Sequence, residues 1–119
     1  MSRADATGEL LAAARAALRA SLMPQLSGDG RYQAAMIANA LAIAQRELEL
    51  GPRTRAAERE ALAAFYRAGD DSLAELRRRL CADLRAGRLP VERRAELEEL
   101  LTRLVDARLA ISNPGHRAR

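Results

Sequence analysis

A chain of 119 residues and 13.0 kDa is long enough to bury one hydrophobic core, and its hydrophobic content of 49% excludes wholesale disorder. Aromatic residues make up only 3% and Trp is absent, so the core must be built from Leu and Ala; these are strong helix formers, and the composition predicts an all-α fold. The formal charge of +4 suggests a polyanion partner, but the basic residues are all Arg, a bias that a GC-rich genome explains, and the signs alternate through "ERRAELEELLTR" as on a solvated helix face.

The opening stretch, "MSRADATGELLAAAR", has no continuous apolar segment, and no run approaches the ~18 apolar residues of a membrane span. Neither export by a standard signal nor membrane insertion is expected, and the bacterial cytoplasm is the expected compartment. The single cysteine, Cys81, leaves no internal disulfide. Its place beside Leu73, Leu76, Leu80 and Leu84 predicts a small buried hydrophobe.

Punctuation divides the chain into five helical segments. The first spans residues 7–23, with Thr7 as N-cap and Leu10, Leu11, Ala14, Leu18 and Leu22 on one face. Pro24 and "SGDG" interrupt it. The second spans residues 30–50, with Asp29 as candidate cap, and Gly51-Pro52 ends it. The third, residues 54–68, is Ala-rich, buries mainly Leu62 and Phe65, and closes at Gly69. The fourth opens on the capping box "SLAE" of Ser72 and Glu75 and ends at Gly87. The fifth runs from about Pro90 to Ile111, where Asn113-Pro114 stops it.

Short connections favour antiparallel neighbours, so the expectation is a single-domain up-and-down bundle over residues 1–119. Four helices would form its core and the third would bridge one end. Residues 1–6 and 114–119 are expected to be loose.

Two helices carry polar residues where apolar ones are expected. Met36, Ile37, Ala40, Leu41, Ile43, Ala44 and Leu48 cover a wide sector of the second helix, and Glu47 falls inside it. Asn39 lies at its edge, in line with Tyr32 and Arg46. In the fifth helix, Arg108 points into the stripe of Leu97, Leu100, Leu101, Leu104, Val105 and Ile111. An unpaired buried charge costs several kcal/mol, so Glu47 and Arg108 are expected to meet as a buried or half-buried ion pair. Alternatively both sit where their helices open to solvent, or they belong to a ligand or partner site.

The chain has no glycine-rich phosphate loop, no HExxH, no CxxC and no nucleophile elbow, and it lacks the Glu-x-x-His pairs of di-iron bundles. No catalytic residue, metal or cofactor is therefore expected. "RRR" at residues 77–79 spreads over more than half a helical turn and reads as a solvated face.

Three stretches, "RYQAAMIANALAIAQRELE" at residues 31–49, "ARLAISNPG" at 107–115 and "ELLAAARAAL" at 9–18, resemble a bacterial family of small helical proteins described as a domain of unknown function. The resemblance implies a gene neighbourhood of aminoglycoside-phosphotransferase-like kinases and acyl-CoA dehydrogenases. It implies an accessory role there and transfers no catalytic residues.

Three functions compete at this point. The first is a non-enzymatic interaction protein that docks on a neighbouring kinase-like phosphotransferase or acyl-CoA dehydrogenase, with homodimerisation as a companion expectation. The second is a bundle binding a small anionic ligand. The candidate ligand or partner residues are Tyr32, Asn39, Arg46, Glu47, Arg108 and Asn113. The third, DNA binding at the Gly87 turn, needs a basic face that the interleaved acidic residues argue against.

Overall fold

The structure, a computed structural model, describes residues 2–116. It is all-helical, with α1 (Arg3–Ala17), α2 (Gly28–Tyr66), α3 (Leu73–Ala86) and α4 (Arg94–Ser112), and no strand among the described residues. The all-α expectation holds, with four α-helices in place of five. The difference lies in α2, a 39-residue helix that joins the second and third predicted segments.

Gly51-Pro52 therefore does not end a helix. Pro52 has no N–H to donate to the preceding turn, but its ring fixes φ near the helical value. An interior proline ordinarily crowds the carbonyl four residues back, and its ring also clashes with the Cβ of the residue before it. Here that residue is glycine, which has none. The chain divides into two compact units at this dipeptide, Met1–Gly51 and Pro52–Arg119.

In the first unit, α1 begins at Arg3 rather than at residue 7. Ser2 Oγ accepts from the Asp5 N–H at 3.1 Å, and Asp5 Oδ2 accepts from the Ser2 N–H at 3.2 Å. This reciprocal box, not Thr7, caps the helix, and residues 3–6 are helical rather than loose. After Ala17 the chain widens into a π-helical turn, Leu18–Leu22, and then tightens into a 3-10 turn, Met23–Gln25, that contains Pro24. Leu26 is extended and Gly28 takes φ +57° as α2 starts. Asp29 lies in the first turn, where its charge complements the helix dipole; it is not the cap.

The buried residues of this unit are small. Ala34 and Ala38 let α1 approach α2 closely, and Arg15 Nε donates to the Ala38 carbonyl at 3.2 Å. No residue of α1 is buried.

The second unit contains the main core: Leu62, Ala63 and Phe65 of α2, Leu76 and Leu80 of α3, and Leu100 of α4. The segment expected to bridge one end thus forms one wall of the core. Its Ala residues allow close packing, so few large side chains suffice. Ser72 and Glu75 form the predicted capping box, with bonds of 3.1 and 3.0 Å. Gly87 ends α3 with φ +64°. A 3-10 turn, Val91–Arg93, leads into α4, which ends at Asn113.

Two details depart from expectation. Cys81 is exposed, because it lies off the Leu76–Leu80 line that faces the core. Arg67, not Gly69, takes the left-handed conformation after α2, with φ +52°. The Ala68 N–H reaches the Ala63 carbonyl at 2.9 Å and the Arg67 N–H reaches that of Ala64 at 3.3 Å, a Schellman closure. Gly115 and His116 belong to a 3-10 turn, Pro114–His116, and the rest of the expected loose tail lies outside the described residues.

Candidate functional site

The six residues singled out in the sequence do not share one unit. Tyr32, Asn39, Arg46 and Glu47 belong to the first, and Arg108 and Asn113 to the second. Tyr32 is 64% exposed. Asn39, Arg108 and Asn113 are exposed, and Arg46 and Glu47 are half-buried. No polar or charged residue among the described ones is fully buried. Arg108, expected to be buried or half-buried, is exposed. It lines a cleft of about 330 Å³ with Thr54, Glu58, Arg103 and Asp106.

The apolar sector of the second predicted helix is also placed differently. Its large members Met36 and Ile37 are each 54% exposed. Ala34 and Ala38, outside the predicted stripe, are the buried ones. On α1 and the turns after it, Leu10, Leu22 and Leu26 are exposed too. The first unit therefore buries Ala34 and Ala38, keeps Leu11, Leu18, Leu41, Ile43 and Leu48 half-buried, and leaves Leu10, Leu22, Leu26, Met36 and Ile37 exposed. Scattered exposed apolar residues are ordinary; here Leu10, Leu22, Leu26, Met36 and Ile37 all fall within the first unit.

A second constellation, invisible in the sequence, lies in the other unit at the end of α2. Tyr66 stacks edge-on against Phe65, with ring centroids 5.1 Å apart. The Arg79 guanidinium lies over the Tyr66 ring at 4.1 Å and that of Arg93 over the Phe65 ring at 3.9 Å. The Tyr66 hydroxyl donates to Asp83 Oδ2 at 2.8 Å, and Arg88 Nε donates to Asp83 Oδ1 at 2.9 Å. Arg93 also donates to the Phe65 carbonyl at 2.7 Å and to both carboxylate oxygens of Glu96. That bond satisfies a carbonyl in the last turn of α2, which the helix itself cannot.

The electrostatics follow from these contacts. The bond from Arg88, then that from Tyr66, holds the Asp83 carboxyl below the usual range. Burial, reinforced by the anionic Asp83, pushes the Tyr66 phenol up to about 12. Arg93 lowers Glu96 in the same way. Arg67, Arg79, Asp83, Arg88 and Arg93 line a cleft of about 440 Å³ together with the two rings.

The arginines of "RRR" split up accordingly. Arg77 pairs with Glu58 and is half-buried, while Arg78 and Arg79 are both exposed and Arg79 lies over Tyr66. Among the described residues no group of three or more His, Cys, Asp or Glu side chains could hold a metal ion. No helix there is long and apolar enough to cross a membrane.

Fold and surface define a small all-helical protein whose distinguishing features are bare apolar residues and an arginine–aromatic cluster. The chain belongs to the family described as Domain of unknown function (DUF6285), which matches residues 24–116. The match takes in the stretches at 31–49 and 107–115 but not that at 9–18. Neither a curated protein nor a solved structure matches the chain.

Proposed function

We propose that the protein is a non-catalytic accessory factor that binds a larger protein through the apolar residues of its first unit. The observation that carries this reading is the exposure of Leu10, Leu22, Leu26, Met36 and Ile37 in a unit whose buried side chains, among the described residues, are those of Ala34 and Ala38. Burying a side chain such as Met or Ile in an interface contributes roughly 1.5–3 kcal/mol, so two or three of them suffice to anchor a complex. Tyr32, half apolar and half wet, suits the rim of such a surface.

The resemblance noted above points to the partner class, a phosphotransferase-like kinase or an acyl-CoA dehydrogenase encoded nearby, in the bacterial cytoplasm. Each flanking gene product would be purified and mixed with the chain in sedimentation velocity runs. A discrete heterocomplex with one of them is expected. Independent sedimentation in every mixture would refute the reading.

A further inference from the structure

Independently of the docking surface, we propose that the cleft at the end of α2 binds a small phosphate-bearing molecule, held by Arg67, Arg79 and Arg88 beside the stacked pair Arg93–Phe65. Four guanidiniums line or flank this space, against the two carboxylates of Asp83 and Glu96. The surplus of two positive charges matches the near-dianion of a phosphate monoester at neutral pH. A carboxylate would neutralise only half of it.

The arginines are not equivalent. Arg93 is committed to Glu96 and to the Phe65 carbonyl, so it shapes the wall. Arg88 gives its Nε to Asp83, which leaves the outer edge of its fork directed away from that bond. Arg67 and Arg79 act on Glu96 and Asp83 through charge, and Arg79 is fixed over Tyr66. A guanidinium already immobilised on an aromatic face loses little further freedom on meeting a phosphate oxygen, and its planar fork suits bidentate contact. Asp83 meanwhile positions both Tyr66 and Arg88 from one carboxylate.

Arg67 adds an argument of a different kind. It occupies a left-handed position, φ +52°, where glycine would be unstrained. A side chain kept at such a position at a local conformational cost is accounted for by what it supplies to the cleft it lines. The volume of about 440 Å³ lies within the range of small-molecule sites. Acidic residues are interleaved along α4, at Glu96, Glu98 and Glu99, which disfavours an extended polyanion such as nucleic acid.

The test is calorimetric titration of the full chain with inorganic phosphate and with inorganic pyrophosphate at about 0.15 M ionic strength, where non-specific surface attraction is screened. Saturable one-site binding of at least one of them is expected. Arg79→Gln and Arg88→Gln should each weaken it about tenfold or more, the loss of one charge-assisted contact. Arg78→Gln removes the same charge from the exposed face of α3 and should change it less than about twofold. Arg67→Gly should weaken binding while raising the melting temperature, a combination that a purely structural arginine would not produce. No saturable heat with either anion, or equal weakening by Arg78→Gln, would overturn the proposal.

Discussion

Arg77 on α3 grips Glu58 on α2 with both edges of its guanidinium, Nε to Oε2 at 2.6 Å and Nη2 to Oε1 at 2.7 Å. This bidentate bond joins two helices across the edge of the second unit's core and holds the Glu58 carboxyl below the usual range. The pair is only partly shielded, so about 1 kcal/mol is expected from either Arg77→Ala or Glu58→Ala. A double-mutant cycle by urea denaturation should show coupling of about 0.5–1 kcal/mol. A depressed carboxyl contributes stability above its unfolded pKa and loses it as pH falls. The wild type should therefore lose more stability than Arg77→Ala as pH drops below about 4.5. Parallel pH profiles would contradict the assignment.

Leu62 and Leu76 are both 0% exposed and meet at the centre of the second unit. Truncating either to Ala removes buried methyl groups and leaves a cavity, at an expected cost of about 2–5 kcal/mol. Leu10→Ala, at a residue 71% exposed, should stay within about 0.5 kcal/mol. Thermal melts of the three variants give the comparison directly. A large loss at Leu10 would show that the bare surface is structural.

Tyr66 titrates in the opposite sense to Glu58. Burial and Asp83 favour its neutral phenol and raise it from 10.0 to about 12. The stabilisation is complete below pH 10 and is lost as pH rises through 12. Denaturation midpoints of the wild type should fall faster than those of Tyr66→Phe between pH 10 and 12. The phenolate absorbance step near pH 12 should vanish in the variant.

Pro52 interrupts the hydrogen bonding of α2 without ending the helix. Replacing it with Ala restores one N–H donor, against an interior proline cost of about 3 kcal/mol, and returns about 1 kcal/mol of unfolded-chain entropy. A net gain of about 1–2 kcal/mol in denaturant stability is expected for Pro52→Ala. A loss would mean that the proline is needed where the two units divide.

Local signals in the sequence locate much of the second unit. The Ser72–Glu75 capping box, the Gly87 stop and the Asn113 end each depend on a few adjacent residues, and each appears where expected. What depends on packing was less legible. The Ala-rich segment around Leu62 and Phe65 has a weak amphipathic pattern because alanine is small, yet smallness is what lets it join the core. In the first unit the same logic buries Ala34 and Ala38 while Met36 and Ile37 stay outside, so apolar bulk marks the half-buried Leu41, Ile43 and Leu48 but misses the alanines that pack most closely. The arginine cluster draws on residues 67, 79, 88 and 93, which no spacing rule connects. Only the Schellman turn after α2 and the Gly87 turn after α3 bring them together.

If the bare apolar residues of the first unit form the binding surface, charging them must break the complex. The most direct test is to measure the affinity of the wild type and of the doubly substituted Met36→Asp, Ile37→Asp chain for the flanking gene product that forms a complex. A loss of at least about 100-fold in affinity, equivalent to about 3 kcal/mol, is expected, with a melting temperature unchanged within a few degrees. Undiminished binding by the variant, or its unfolding, would contradict it.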